Sequence, residues 1–525
     1  MKKSKSKILL LFMALIMAVC ATACGKDPAH SGDNSGNSSN NPNASIKLNI
    51  IVANFGFGYG WIDEVAKVYE SQNKDVSINV KQTVLPHEIY SQIEGGLDTY
   101  DIFFGTVQLF DGVRGGWMKN LNNVYSSTPK GETKTVAEKL GDYAEEFKFN
   151  NDYCGMPYIL SPTSLVVNYS TLKELYGENY TLPTTINTTS GLIEYCKELR
   201  SKDVYAYIDS FGYTEYLAQT WFAQYDIDGY ANYWTGKYVD ETGEKKDALN
   251  GESLKQQGKL EALRVSETLL KQTNGFNHAY ATSMSYSEAQ VAFCGLGYGF
   301  ADTKKCVFMP NGAWLENEMK NILIENPQEI GMIKTPIISS IIKAVPDKSI
   351  ADDAELSALV NAIDNGKSEL KGEGYEVSQN DYDYVKNARM IINHNSTAHQ
   401  CGIVAKTKYP EVCEDFLVFL ASDVASRVAS SKLKGLTLPY GYIPTSEDGI
   451  VISDYVKSVN AMCNDTTLLK SYTNSKLVQN GLFFTSQRNN WQSAFINGSL
   501  TANKLYQDDI SAFGNQWKYL IAEIK

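Results

Sequence analysis

The chain has 525 residues, of which 43% are hydrophobic and 21% charged, and a formal net charge of −12 from 60 acidic and 48 basic side chains. The apolar share excludes a wholly disordered chain, a single long apolar run argues against a multi-spanning membrane protein, and the acidic balance gives no overall field for nucleic acid. The length suffices for two or three domains, and 33 Tyr, 20 Phe and 7 Trp supply flat apolar faces, many with a polar tip, that suit surfaces meeting polar ligands.

Lys2, Lys3, Lys5 and Lys7 precede the apolar run 8–19. A basic stretch before an apolar run too short to span a membrane reads as an export signal. Ala21-Thr22-Ala23-Cys24 resembles a bacterial lipobox, whose cysteine is lipidated and becomes the first mature residue. Cys20 is the rival, but Val19 is a poor residue beside a cleavage site; the alternative is an ordinary secretory signal cut near Ala23. Residues 25–43, GKDPAHSGDNSGNSSNNPN, can bury nothing and read as a flexible tether. With Cys20 and Cys24 set aside, Cys154, Cys196, Cys294, Cys306, Cys401, Cys413 and Cys463 remain. An odd, widely spaced set without CxxC is neither a disulfide framework nor a zinc site. They read as buried small hydrophobes, with Cys294 and Cys306 the pair a bridge could join.

Further elements follow in chain order. Residues 46–52 alternate as a strand, with Leu48, Ile50 and Val52 on one face. After the loop 54–60, the spacing of Ile62, Val65, Ala66 and Tyr69 predicts a helix. A strand at 76–80, a helical segment at 86–95 and a strand at 100–104 complete a β-α-β-α-β run, which argues for a mostly parallel sheet covered by helices. Beyond it, 165–168 reads as a strand, 189–202 and 257–271 as helices, and 292–293 with 306–309 as the flanks of a turn region. Residues 346–383 are polar and charged and read as an inserted surface excursion. Residues 400–405 read as a strand, 410–422 as a helix, 437–441 as a turn or crossover, and the remainder to Lys525 as helical.

The familiar chemical motifs fail in detail. Gly56 and Gly58 follow a strand, but a dinucleotide loop needs a third glycine where Trp61 stands, and the next strand ends in Lys81 and Gln82 rather than an acid. Asn361 replaces the first glycine of a phosphate loop ending Gly366-Lys367-Ser368. His87-Glu88 lacks the second histidine of a zincin, since Ser91 occupies its place. No G-x-S-x-G elbow occurs. His394 and His399 have no third metal ligand. Paired carboxylates cannot be singled out among 60 acids. The sequence therefore points to no cofactor, no metal and no catalytic set.

Several landmarks, in order, carry a resemblance. After the lipobox, tether and Gly-rich loop comes Asp98-Thr99-Tyr100-Asp101-Ile102-Phe103-Phe104, similar to a "PDI" strand with Tyr100 in place of Pro. Gly115-Gly116-Trp117-Met118-Lys119-Asn120-Leu121 follows as a "G-x-L-x-x-L" step. Tyr153-Cys154-Gly155-Met156-Pro157-Tyr158 with Val167-Asn168-Tyr169 looks like "YGLP…YN". Leu182-Pro183-Thr184-Thr185 looks like "PPTTWDE", and Pro310-Asn311-Gly312-Ala313-Trp314-Leu315 like "NGSW". Together they resemble the family 1 extracellular solute-binding proteins of ABC transporters, the group that contains the maltose/maltodextrin-binding protein.

This resemblance implies an α/β, two-lobe periplasmic-binding-protein-like fold with a ligand cleft and crossing hinge strands. The expected layout is a signal at 1–23 and a tether at 24–45. An N-lobe follows from 46–158 with 334–438 (including the 346–383 polar insert), and a C-lobe from 159–333 with 439–525. The chain would cross near Tyr158, return near Ile333 and cross again near Tyr440. The implied function is a substrate-binding lipoprotein, anchored through Cys24 outside a Gram-positive cell. It would act as a monomer, capture a mono- or oligosaccharide and deliver it to permease subunits.

A sugar ring needs an aromatic plate and polar groups around its rim. Trp314 stands where the resemblance puts a stacking Trp. Asn54, Phe57, Tyr59 and Trp61 lie at the end of the first strand, and Phe104 and Gln108 at the end of the third, where open α/β sheets place ligands. Tyr213 and Trp221 come from an aromatic cluster of the second lobe. Ser161 and Thr163 stand where some members carry an acid. Asn395 and His399 precede the strand returning to the first lobe, and Tyr440 and Tyr442 flank the last crossover. The rival readings are a secreted carbohydrate-active enzyme, an adhesin or surface scaffold, and a receptor for a peptide or polyamine.

Overall fold

The computed structural model describes residues 43–512, apart from 106, 108, 210–211, 240–241, 248–250, 297–303, 396–398, 465, 473–474 and 476–490. The expected signal and nearly all of the tether, Cys24 included, lie outside the described residues, as does Gln108.

The strand Ile46–Ala53 pairs in parallel with Val76–Thr83 along its whole length, and its other edge pairs in parallel with Ile102–Gly105. Leu48, Ile50 and Val52 fill the main core, as their alternation predicts. Ile51 is buried as well, because Phe103, Ile93, Leu109 and Val404 cover the opposite face. A central parallel strand is sealed on both sides. Helix Gly60–Gln72 buries Trp61, Ile62, Val65, Ala66 and Tyr69, one stripe at helical spacing. The Tyr69 ring lies between Phe416 and Phe419 of helix Pro410–Leu420, at 5.3 and 5.4 Å, and its hydroxyl donates to Asp415 at 2.6 Å. Gln400–Ile403 and Met156–Pro157 complete this five-stranded sheet with antiparallel pairing.

The second sheet is built around Pro162–Asn168, whose seven residues are all buried. One edge pairs antiparallel with Cys306–Gly312. The other edge is shared: Ile330–Ile333 takes Leu165 to Asn168, and Ile391–His394 takes Pro162 and Thr163. Tyr205–Tyr207 and Thr467–Leu468 close the two ends in parallel pairing. Helices Thr214–Tyr225 and Gln257–Leu270 pack beside each other on this sheet's side of the molecule.

Because Ile391–His394 lies in the second sheet, the return crossing falls between His394 and Gln400 rather than near Ile333. Residues 334–395 thus belong with the second sheet. The stretch read as a polar excursion is also more than surface. Helix Asp353–Asp364 buries Leu356, Leu359, Val360 and Ile363 in the second core, joined there by Tyr375, Val377 and Tyr382. The buried Asp381 carboxylate accepts from the N–H groups of Asp347 and Ser349 at 2.8 and 2.7 Å. Arg389 grips Asp364 through Nε and Nη2 at 3.0 and 2.7 Å and donates through Nη1 to Thr335 O at 2.8 Å.

The first two crossings run side by side. His394 pairs with Pro162, Asn395 N–H donates to Ser161 O at 2.8 Å, Tyr158 N–H donates to His399 O at 3.2 Å, and Gln400 pairs with Pro157. Two chain segments that run antiparallel where they are described therefore join the lobes. The third crossing is tied to them where the Tyr440 hydroxyl donates to Pro157 O. The chain then enters helix Asp454–Cys463, whose Ser458 Oγ accepts from Met332 N–H at 2.8 Å. The part read as helical to the end contains that helix, helix Trp491–Ile496 and a helix over 502–512, with Thr467–Leu468 as an intervening strand. Cys294 and Cys306 are both buried thiols without a bridge.

Candidate ligand-binding site

Three segments meet where the two lobes face each other. The first is the turn between strand Ile46–Ala53 and helix Gly60–Gln72. Gly56 (φ +52°) and Gly58 (φ +68°) take the left-handed backbone that L side chains resist by about 1–2 kcal/mol. The turn folds Phe57 inward and leaves Asn54 at the rim, where its amide donates to Gln82 Oε1 at 2.5 Å.

The second segment leaves strand Cys306–Gly312. Its last residue is fixed at both polar groups, since Asn311 Oδ1 accepts from Gly312 N–H at 2.8 Å and Tyr455 OH donates to Gly312 O at 2.8 Å. Trp314 follows at the start of helix Leu315–Glu318 with its ring over Gly312, where any Cβ would collide with it. The third segment precedes helix Thr214–Tyr225. The buried Asp209 carboxylate accepts from Thr214 N–H at 2.9 Å. Burial nevertheless raises its pKa above the ordinary carboxylate value. This loop aims Tyr213 at Trp314.

The result is a continuous aromatic row across the lobes. Tyr216 stacks on Tyr213, Tyr213 meets Trp314 at 5.9 Å, and Trp314 meets Phe57 edge-on at 6.4 Å. Phe57 meets the His399 ring at 5.6 Å, and His399 meets Tyr158 at 5.7 Å, with Tyr158 OH 3.2 Å from His399 Nδ1. Burial lowers the His399 pKa to about 4, so the imidazole is neutral at pH 7. Glu318 places a carboxylate beside the row, near Tyr213 and the Gly56 turn. Its pKa is raised because burial outweighs the hydrogen bond from Gln290 and the pull of the nearby Gly56 N–H. Together with the amides of Asn54 and Asn317, the group offers aromatic faces and hydrogen-bonding groups, and none of these residues carries a positive charge. That combination suits a neutral, polar molecule with an apolar face.

Of the residues expected at the cleft, Phe57, Tyr213, Trp314 and His399 come together in this row, with Asn54 at its edge. Trp314 is itself only 5% exposed, because Phe57 of the other lobe occupies the space beside it. Four expected residues are core instead. Trp221 is fully buried, with Nε1 donating to Pro336 O at 3.0 Å. Tyr440 spends its hydroxyl on Pro157 O. Phe104 and Trp61 pack on Tyr158 at 5.3 and 5.9 Å, behind the row. Ser161 and Asn395 lie in the connections between the lobes, and Thr163 lies buried in the central strand of the second sheet. Tyr59 packs half-buried on the main core, and Tyr442 lies beside Asp448. Asn317, Glu318 and Gln290 were missed. The first two follow Trp314 by three and four residues, the spacing that puts side chains on one helical face.

Among the described residues no cluster of His, Cys, Asp and Glu could hold a metal ion, and no helix is long and apolar enough to cross a membrane. No protein-family model matches the chain, and no curated protein matches it in sequence. Solved structures do match in shape. The apo form of RafE from Streptococcus pneumoniae superposes with a TM-score of 0.56 at 14% identity, over 93% of this chain and 100% of that one. RafE in complex with raffinose gives 0.55 at 15% identity, over 90% and 99%. The ABC substrate-binding protein Lmo0181 from Listeria monocytogenes, in complex with cycloalternan, gives 0.54 at 13% identity, over 90% and 98%. A likeness that spans nine-tenths of this chain and nearly all of each neighbour gives it the two-lobe α/β fold of ABC substrate-binding proteins.

Proposed function

We propose that this chain is the ligand-capturing lipoprotein of an ABC importer, binding a neutral carbohydrate outside the cell and delivering it to permease subunits in the membrane. The observation that carries this reading is the aromatic row Tyr213–Trp314–Phe57–His399, contributed by both lobes and flanked by amides. An aromatic face takes the CH side of a sugar ring, and amides and a neutral imidazole take its hydroxyls. Two further points support it. RafE and Lmo0181, which share the fold, were solved with raffinose and cycloalternan. Two adjacent antiparallel connections between the lobes also suit lobes that part to admit a ligand and close around it.

The anchor rests on the sequence. Ala21-Thr22-Ala23-Cys24 supplies the lipidation site, and the Gly/Ser/Asn-rich tether lets the domain reach its permease. Two or three acyl chains on one cysteine, as bacterial lipoproteins carry, are what make such attachment stable.

A thermal-shift screen tests the proposal. A ligand at 100 times its Kd stabilises the native state by about 2.7 kcal/mol. Saturable stabilisation by one class of sugar, with the sugar recovered unchanged, supports the receptor. Release of a hydrolysis product, or stabilisation by peptides or polyamines and by no sugar, overturns it.

A further inference from the structure

Gly56 is held by the opposite lobe through its carbonyl and lies against a carboxylate of that lobe. Asn317 Nδ2 donates to Gly56 O, and the Glu318 carboxylate lies beside the same turn, its Oε1 3.9 Å from where a Gly56 Cβ would stand, with its charge facing the Gly56 N–H. Glu318 is steadied in turn by buried Gln290, whose Nε2 donates to Glu318 Oε2 at 2.7 Å. Gly56 stands in a turn, after a strand has ended and before a helix begins. Its peptide groups have no ladder of their own and would face water if the lobes parted.

The approach is also close. A Cβ on Gly56 would lie 3.1 Å from Trp314 Cβ, inside ordinary van der Waals contact, and φ is +52°. The smallest side chain there both strains the turn and wedges it away from Trp314.

We propose that Asn317 and Glu318 are positioning residues: they clamp the Gly56 peptide, seat Phe57 against Trp314, and hold the two lobes closed when no ligand is present. The clamp rests on the two-lobe fold and not on the identity of the ligand. A binding protein that closes by itself sets its own population of ligand-accepting, open molecules, and apparent affinity scales with that fraction.

Small-angle scattering of the ligand-free protein tests this, with circular dichroism to verify the fold of each variant. Wild type should show the radius of gyration calculated from the closed structure. Asn317→Asp, nearly equal in volume, puts an acceptor against Gly56 O and should shift the radius upward. Gly56→Ala should do the same. Glu318→Ala, which removes the carboxylate, should also expand the particle. Glu318→Gln should stay compact. It keeps a side-chain oxygen facing the Gly56 N–H, and its new donor can meet Gln290 Oε1, which has no partner among the described residues. The clamp is overturned if ligand-free wild type is as extended as the variants, if Asn317→Asp and Gly56→Ala stay as compact as wild type, or if the two Glu318 variants behave alike.

Discussion

Shortening Trp314 to alanine removes the indole that Phe57 and Tyr213 pack against from opposite lobes. At 5% exposure the ring is as buried as a core residue, and Trp→Ala at such sites costs about 3–5 kcal/mol. That range includes two ring contacts, each contributing about 0.5–1.5 kcal/mol beyond the buried area. Gly56 and Gly312 line the space and offer no side chain to refill it, so the upper half of the range is expected. Because Phe57 belongs to the first sheet's lobe, part of the loss should appear in closure on ligand. The affinity for the sugar identified by thermal shift should fall by about 2 kcal/mol or more, roughly 30-fold. Urea unfolding followed by far-UV circular dichroism reads the stability, and calorimetric titration reads the affinity. Trp314→Phe keeps a ring between Phe57 and Tyr213 and should lose less than half as much of each. A wild-type unfolding midpoint for Trp314→Ala refutes the packing argument. A destabilised variant that binds with wild-type affinity leaves Trp314 as a core residue without a part in recognition.

His399 supplies a pH dependence. Its folded pKa of about 4 lies below the ordinary 6.5, so between these values the unfolded chain binds the proton and the folded chain does not. Stability from this group is complete above pH 6.5 and lost as the pH falls toward 4, by about 3 kcal/mol, a slope that His399→Gln should abolish in urea titrations across that window. Arg389→Ala should destabilise by about 3 kcal/mol, since it breaks a paired buried charge and leaves Thr335 O without its donor; an unchanged melting temperature would refute that role. Cys24→Ser should move the protein from the membrane fraction to the medium, and membrane retention of the variant would refute the anchor.

The parallel part of the first sheet was legible because its physics is local. Strand Ile46–Ala53 announces itself by alternation and helix Gly60–Gln72 by a stripe at 3.6-residue spacing, each within a dozen or so residues. The return crossing was misplaced for a reason of the same kind. Residues 346–383 are polar on average, and the average conceals Leu356, Leu359, Val360 and Ile363, which stand at i, i+3, i+4 and i+7. Periodicity decides burial here and composition does not. Strand Ile391–His394 is too short to show any period, and Pro162–Asn168, buried on both faces, shows no alternation.

The site was legible to a lesser degree, because a cleft aromatic and a core aromatic obey the same local rule. Trp314 opens a helix and Trp221 lies within one, both at buried positions, and what separates them is where the surrounding groups come from. Trp221 Nε1 finds Pro336 O 115 residues away, and Tyr440 OH finds Pro157 O 283 residues away. Each thereby satisfies its polar tip inside the protein, which a buried Trp or Tyr normally has to do. Trp314 instead finds Phe57 and the Gly56 turn, brought from the other lobe by the hinge. Partners so distant in sequence leave no local pattern, so an ordered set of motifs could point to Trp314 but not reject Trp221 or Tyr440. Asn317 and Glu318 are the exception that a local rule could have reached. They lie one helical turn beyond Trp314, so an argument that put Trp314 at the lobe boundary already placed these two side chains there with it.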